Sequence, residues 1–190
     1  MKIVSERWFN DTTWEADYPE GWKAFRDKSI RGFPYVFESS AGSRLQVGLS
    51  MQGTISGFDW SEAPEDLTKF QKQAYLITLQ EARNQSWVTW PEWALAHIRQ
   101  KLGYRPQLEK RIVGAFVGFT YECPPRIEHQ RSWAGHFSAE PEPYAAYLYF
   151  RASEQSYEAD SAVAWDIIGT IKLHVQQGVP ADGLASRGRG

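Results

Sequence analysis

One cysteine in 190 residues, Cys123, leaves no internal disulfide framework and no cysteine-rich zinc site. Long apolar runs are missing as well: nothing approaches the roughly 20 residues that cross a bilayer as a helix. The opening MKIVSERWFNDTTW has no apolar core ahead of its charged and polar residues, so a secretory leader is not expected. Neither sign of charge prevails. With 21 Lys+Arg against 23 Asp+Glu the net charge is -2, which argues against a nucleic-acid binder that relies on a strong positive field. No G-x-G-x-x-G or G-x-x-x-x-G-K run is present to cradle a phosphate. What is abundant is apolar and aromatic mass, 42% and 15%, enough for a packed core and too much for a disordered chain. The expectation is a soluble, cytoplasmic protein with one domain over residues 1–175 and a flexible, glycine-rich tail over 176–190 that ends Ser186-Arg187-Gly188-Arg189-Gly190.

The order of elements follows from spacing. In Tyr18-Pro19-Glu20-Gly21-Trp22, proline removes a backbone donor and glycine permits positive φ, so this is a turn between two extended pieces. Tyr35–Ser39 reads as a strand, Ser40–Ser43 as a hairpin turn and 44–52 as the return strand. There Leu45, Val47, Leu49 and Met51 alternate with polar or small residues, the mark of one buried face. Leu67, Phe70, Ala74 and Ile77 then take helical spacing, and that helix fades near 83–85. A second helix is expected over about 89–103, with Thr89 and Glu92 spaced as a capping box and Gly103 as its stop. Residues 111–122 read as one strand, 132–138 and 144–152 as a hairpin, about 158–168 as a helix, and 170–175 as a last short strand. Strands, two helices, strands, helix: this order predicts an α+β fold, an antiparallel β-sheet with helices packed on it.

Several segments together resemble the PsbP-like (Mog-type) α/β/α sandwich family. They are Tyr18-Pro19-Glu20-Gly21-Trp22, the strand Arg44-Leu45-Gln46-Val47-Gly48-Leu49, the strand Ala145-Ala146-Tyr147-Leu148-Tyr149-Phe150, and Asp166-Ile167-Ile168-Gly169-Thr170-Ile171-Lys172-Leu173. Thr170 stands where the family commonly has serine, and the central helices are longer than usual. The resemblance implies a domain that binds rather than catalyses. Relatives of this shape include a photosystem subunit, a small-GTPase-binding factor and bacterial chaperones for exported proteins.

Cys123 with His129 or His136 has the elements of a nucleophile and base, but Pro124-Pro125 follow it at a strand end and a small apolar role is preferred. The four histidines show no i,i+4 pair, so no metal site is assigned; Glu128-His129 with His136 is the one combination that a hairpin would unite. Asp11, Glu15 and Asp17, or Glu140 and Glu142, have no spacing that fixes an acid/base pair. Trp87, Trp90 and Trp93 step by three and make either a core wedge or an exposed stacking platform. The polar side of the sheet would carry Arg44, Gln46, Ser50, His136, Tyr147, Tyr149 and Arg151, a composition suited to partner recognition.

The reading is a non-enzymatic protein-binding protein with no cofactor and no nucleic-acid or membrane partner. Its partner-binding residues are Tyr147, Tyr149, Arg151, His136, Arg44 and Trp90. Its most concrete form is an immunity protein, or an adaptor or chaperone, that docks on a secreted toxin or effector. The alternatives are a small-ligand or carbohydrate-binding module using the tryptophan cluster, and an enzyme whose cleft joins His136, Cys123 and a carboxylate.

Overall fold

A computed structural model describes residues 2–7, 12–29, 35–51, 59–84, 107–123, 127–139 and 144–175. Their strands form two antiparallel sheets. The smaller joins β1 (Lys2–Arg7), β2 (Thr12–Tyr18) and β10 (Lys172–Val175) in the order β1-β2-β10. The larger has seven strands: β3 (Trp22–Arg26), β4 (Tyr35–Ser39), β5 (Arg44–Met51), β6 (Glu109–Val113), β7 (Phe116–Cys123), β8 (Gln130–Ala139) and β9 (Tyr144–Ser153). They run in the order β3-β4-β5-β9-β8-β7-β6, so hairpins build both flanks and β5 meets β9 at the centre. Two helices, α1 (Lys69–Asn84) and α2 (Tyr157–Gly169), pack on opposite faces of this sheet. The antiparallel α+β architecture expected from the sequence is thus present, layered as helix, sheet, helix.

Period two decides which face each side chain takes. Leu45 pairs with Phe150, Val47 with Leu148, and Trp133 with Phe150, which puts these residues on one face. With Phe37, Phe116, Phe137 and Ala146 they form the main core, covered by Ala164, Ile167 and Ile168 of α2 and by Trp14 and Ala16 of the small sheet. Trp14 meets Tyr35 edge-on at 5.0 Å, and Tyr18 meets Phe37 at 5.8 Å, so β2 is fastened to β4 by rings. Trp133 ties sheet to helix. It stacks on Trp165 at 4.2 Å and donates its indole N–H to the Ser161 hydroxyl at 3.0 Å. The opposite face holds a smaller cluster of Tyr121, Cys123, Ala134 and Tyr149, beside which Tyr75 of α1 meets Phe119 at 5.0 Å.

Two expectations need correction. Residues 111–122 are not one strand but the facing ends of a hairpin, because Gly114 at φ 55° turns the chain between Val113 and Phe116. At Gly118 the neighbouring strand approaches closely: a Cβ there would drive into the His136 carbonyl and lie 2.8 Å from the Phe137 ring. The Tyr18–Trp22 turn joins two extended pieces as expected, β2 and β3, and these belong to different sheets. In α1 the buried side is broader than the stripe read from spacing: Gln73, Ala74, Leu76 and Thr78 are all buried. Thr78 fits because its hydroxyl donates to the Ala74 carbonyl at 2.8 Å. Residues 2–7, to which spacing assigned no element, pair as β1, although only Ile3 and Val4 among the six are apolar. The helix expected over 89–103, Trp87, Trp90 and Trp93, and the tail 176–190 lie outside the described residues.

Candidate functional site

The strand register assembles most of the predicted contact residues on one surface. Across β5, β9 and β8 three rows form: Gly48–Tyr147–His136, Gln46–Tyr149–Ala134 and Arg44–Arg151–Ser132. The Tyr147 and His136 rings lie 5.0 Å apart and tilted by 51°. Tyr147, His136, Gln46 and Arg151 are half-buried, so each keeps part of its surface in solvent while its base is gripped by neighbouring strands.

Two members do different work from that expected. Tyr149 is only 8% exposed, packed with Tyr121 and Ala134 in the smaller core cluster, and so supports the face from beneath instead of presenting itself. Arg44 is engaged at the edge of the strip. Its guanidinium reaches Asp27 at 3.1 Å and Glu38 at 2.9 Å and lies 5.7 Å from the centre of the Phe25 ring. Those carboxylates offset the like charge of Arg151, which stands directly opposite Arg44 in the ladder. The Ser29 hydroxyl and backbone N–H hold the Asp27 carboxyl below its ordinary value, with Arg44 adding to the effect. Arg151, by contrast, makes no ion pair among the described residues, which leaves it the uncommitted cation of the strip. Trp90 lies outside the described residues.

The catalytic combination is not brought together. Cys123 is buried opposite Ser132, four residues along β8 from His136, a separation of roughly 13 Å at strand rise. His129 precedes β8 at a φ of 61°, 3.6 Å from both Glu128 and Glu154 and seven residues from His136. Among the described residues no group of three His, Cys, Asp or Glu is placed to hold a metal ion.

A feature missed in the sequence lies on the other side of the large sheet. The Tyr18–Glu20 turn and the last turn of α2 enclose a groove of about 370 Å³, lined by Asp17, Tyr18, Pro19, Glu20, Val163, Asp166, Ile167 and Thr170. Its base is fixed by Thr170. The Thr170 hydroxyl accepts from the Asp17 N–H at 2.9 Å and lies 2.8 Å from the Ile167 carbonyl and 3.1 Å from that of Asp17, two acceptors for its single proton. Both lining segments were legible as elements, a turn and a helix end, but they are about 150 residues apart and are united by the pairing of β2 with β10 and the Thr170–Asp17 hydrogen bonds.

No known family matches the chain, and no curated protein matches it in sequence. Solved structures similar to it include LpqN of Mycobacterium tuberculosis, described as involved in cell envelope biogenesis. LpqN aligns at a TM-score of 0.51 and 10% identity over 92% of this chain and 91% of its own. The cyanobacterial PsbP of Synechocystis aligns at 0.45 and 12% identity over 90% of this chain and 92% of its own. A protein from Bacteroides thetaiotaomicron aligns at 0.48 and 10% identity over 86% of this chain and 46% of its own, so this chain spans about half that protein's length. At such identities the likeness is one of fold alone. Among the described residues no helix is long and apolar enough to cross a membrane.

Proposed function

We propose that this chain is a non-enzymatic protein-binding domain that docks through the polar strip of β5, β9 and β8. The carrying observation is the strip itself: Tyr147, His136, Gln46 and the uncommitted Arg151 stand half-exposed on adjacent paired strands. Tyrosine and arginine set in a rigid surface are the residues that most often dominate binding energy, since little of their freedom remains to be lost on contact. Arg44 and Tyr149 act as supports, one pinned by carboxylates and the other from below. The partner class, a secreted toxin or effector met by its immunity protein or by an adaptor or chaperone, comes from the sequence resemblance. On this reading the chain works in the cytoplasm, before its partner is exported.

The test is affinity co-purification of the tagged chain from its native host, repeated with Tyr147→Ala and Arg151→Ala. A near-stoichiometric protein retained by the parent chain and lost from folded variants is the expected result. Each substitution should weaken binding by about 2 kcal/mol if its side chain is an anchor. Equal retention by parent and variants would refute the placement.

A further inference from the structure

The large sheet ends at β6, and among the described residues nothing pairs with the outer edge of that strand. The edge has a definite phase. Gly114 and Ala115 join Val113 to Phe116 as a two-residue hairpin turn, which closes on a hydrogen-bonded pair, and bonded and non-bonded pairs alternate from there. Val113, Arg111 and Glu109 therefore turn their backbone groups toward β7, while Ile112 and Lys110 turn theirs outward. Ile112 is 72% exposed, more than any other large apolar side chain among the described residues. Natural sheets keep exposed apolar residues off open edges, so this one calls for a cover. The charges beside it form a pattern. Glu109 and Arg111 share one face, their side chains 3.0 Å apart, and Lys110 stands with Ile112 on the other.

We propose that β6 pairs antiparallel with β6 of a second copy of this chain, about a twofold axis at Lys110. Pairing through the outward backbone groups lets the two strands shift only in steps of two residues. With Lys110 opposite its own copy, Glu109 stands across from Arg111 twice, and Leu108, just before the strand, across from Ile112 twice. A step either way sets Arg111 against Arg111, or Glu109 against Glu109. The charges thus select one register. Lys110 and Arg111 guard the edge against indiscriminate strands, but the same sequence run in the opposite direction supplies the complement. Asp66, 3.9 Å from the Lys110 ammonium, eases the one like pair at the axis. Each copy commits its β6 edge, so the assembly closes at two. Lys110 shares a face with Phe119 and His136, and opposed residues keep one face, so both docking strips lie on the same side of the joined sheet.

Sedimentation equilibrium of the full chain over a range of concentrations tests this, with Glu109→Arg and Arg111→Glu run singly and mixed. The parent should show a monomer–dimer equilibrium. Each single variant sets like charges against each other and should dimerise at least about tenfold more weakly, while the equimolar mixture should recover the parent's affinity within about threefold as a heterodimer. Ile112→Asp, at a position exposed in the monomer, should abolish pairing without lowering the melting temperature. In hydrogen exchange the Lys110 and Ile112 amides of the parent should slow as concentration rises, with those of β3 at the other edge unchanged. Arg111 also lies over the Trp165 ring, so Glu109→Arg, Ile112→Asp and the exchange rates carry the test if Arg111→Glu does not fold. A parent chain monomeric throughout would overturn the proposal. So would a dimer that Ile112→Asp and the single charge variants form as well as the parent does, or folded single variants whose mixture stays monomeric. Because β6 lies two strands beyond the docking strip, failure here leaves the protein-binding reading standing.

Discussion

Trp133 packs between sheet and α2 with its ring stacked on Trp165 at 4.2 Å and against Phe150 at 5.6 Å, and the Arg111 guanidinium lies 4.7 Å from the centre of the Trp165 ring. Removing the indole opens a large void in a layer that cannot collapse evenly, so Trp133→Ala should cost about 3–5 kcal/mol in urea unfolding. Ser161→Ala removes only the acceptor of the indole N–H and should cost about 1 kcal/mol. Tyr157 predicts a pH dependence. Burial pushes its phenol from 10.0 up to about 12, with Glu122 adding and the Arg131 guanidinium, 3.9 Å from the ring centre, opposing. The unfolded phenol releases its proton near pH 10 and the folded one near 12. The stability gained by keeping it neutral is therefore whole below pH 10 and lost as pH rises from 10 to 12. Tyr157→Phe has no such proton to lose, and its stability should fall less steeply than the parent's across that window. Parallel curves would contradict the assignment.

Individual elements were legible wherever a short-range period governed them. The strand from Arg44 follows strict alternation, and the structure buries Leu45 and Val47 as that alternation requires. The final helix followed Ala164, Ile167 and Ile168, all buried beneath it. Spacing failed where one residue outweighed the pattern, as Gly114 does by turning β6 into β7 within a run rich in Val and Phe. It failed again at β1, whose pairing with β2 supplies what its own composition does not. Two glycines of the large sheet provide a matched test. Gly118→Ala would force a methyl into the His136 carbonyl and should cost about 3 kcal/mol, while Gly48→Ala finds its nearest neighbour at 3.7 Å and should stay within about 1 kcal/mol. Thermal unfolding of the two variants side by side would decide it, and equal losses would contradict the close approach at Gly118.

At the scale of the whole molecule, the two sheet faces serve different ends. One is closed by α2 and the small sheet over a continuous aromatic core; the other is shared between α1 and the strip of β5, β9 and β8. The membership of that strip was readable from alternation alone, because a side chain's face depends only on its position within the strand. Its accessibility was not, since the burial of Tyr149 depends on Tyr121 and Ala134 from other strands, and the pairing of Arg44 depends on Asp27 and Glu38. The groove was unreadable for the same reason: a turn near residue 19 and a helix end near residue 167 meet only through tertiary pairing. Hydroxyl-radical footprinting of the chain, free and with its co-purified partner, tests the docking face most directly. Protection of Tyr147 and His136 with Tyr75 and Trp60 unchanged is the expected result, and protection confined to α1 or to the α2 groove would refute docking through the strip.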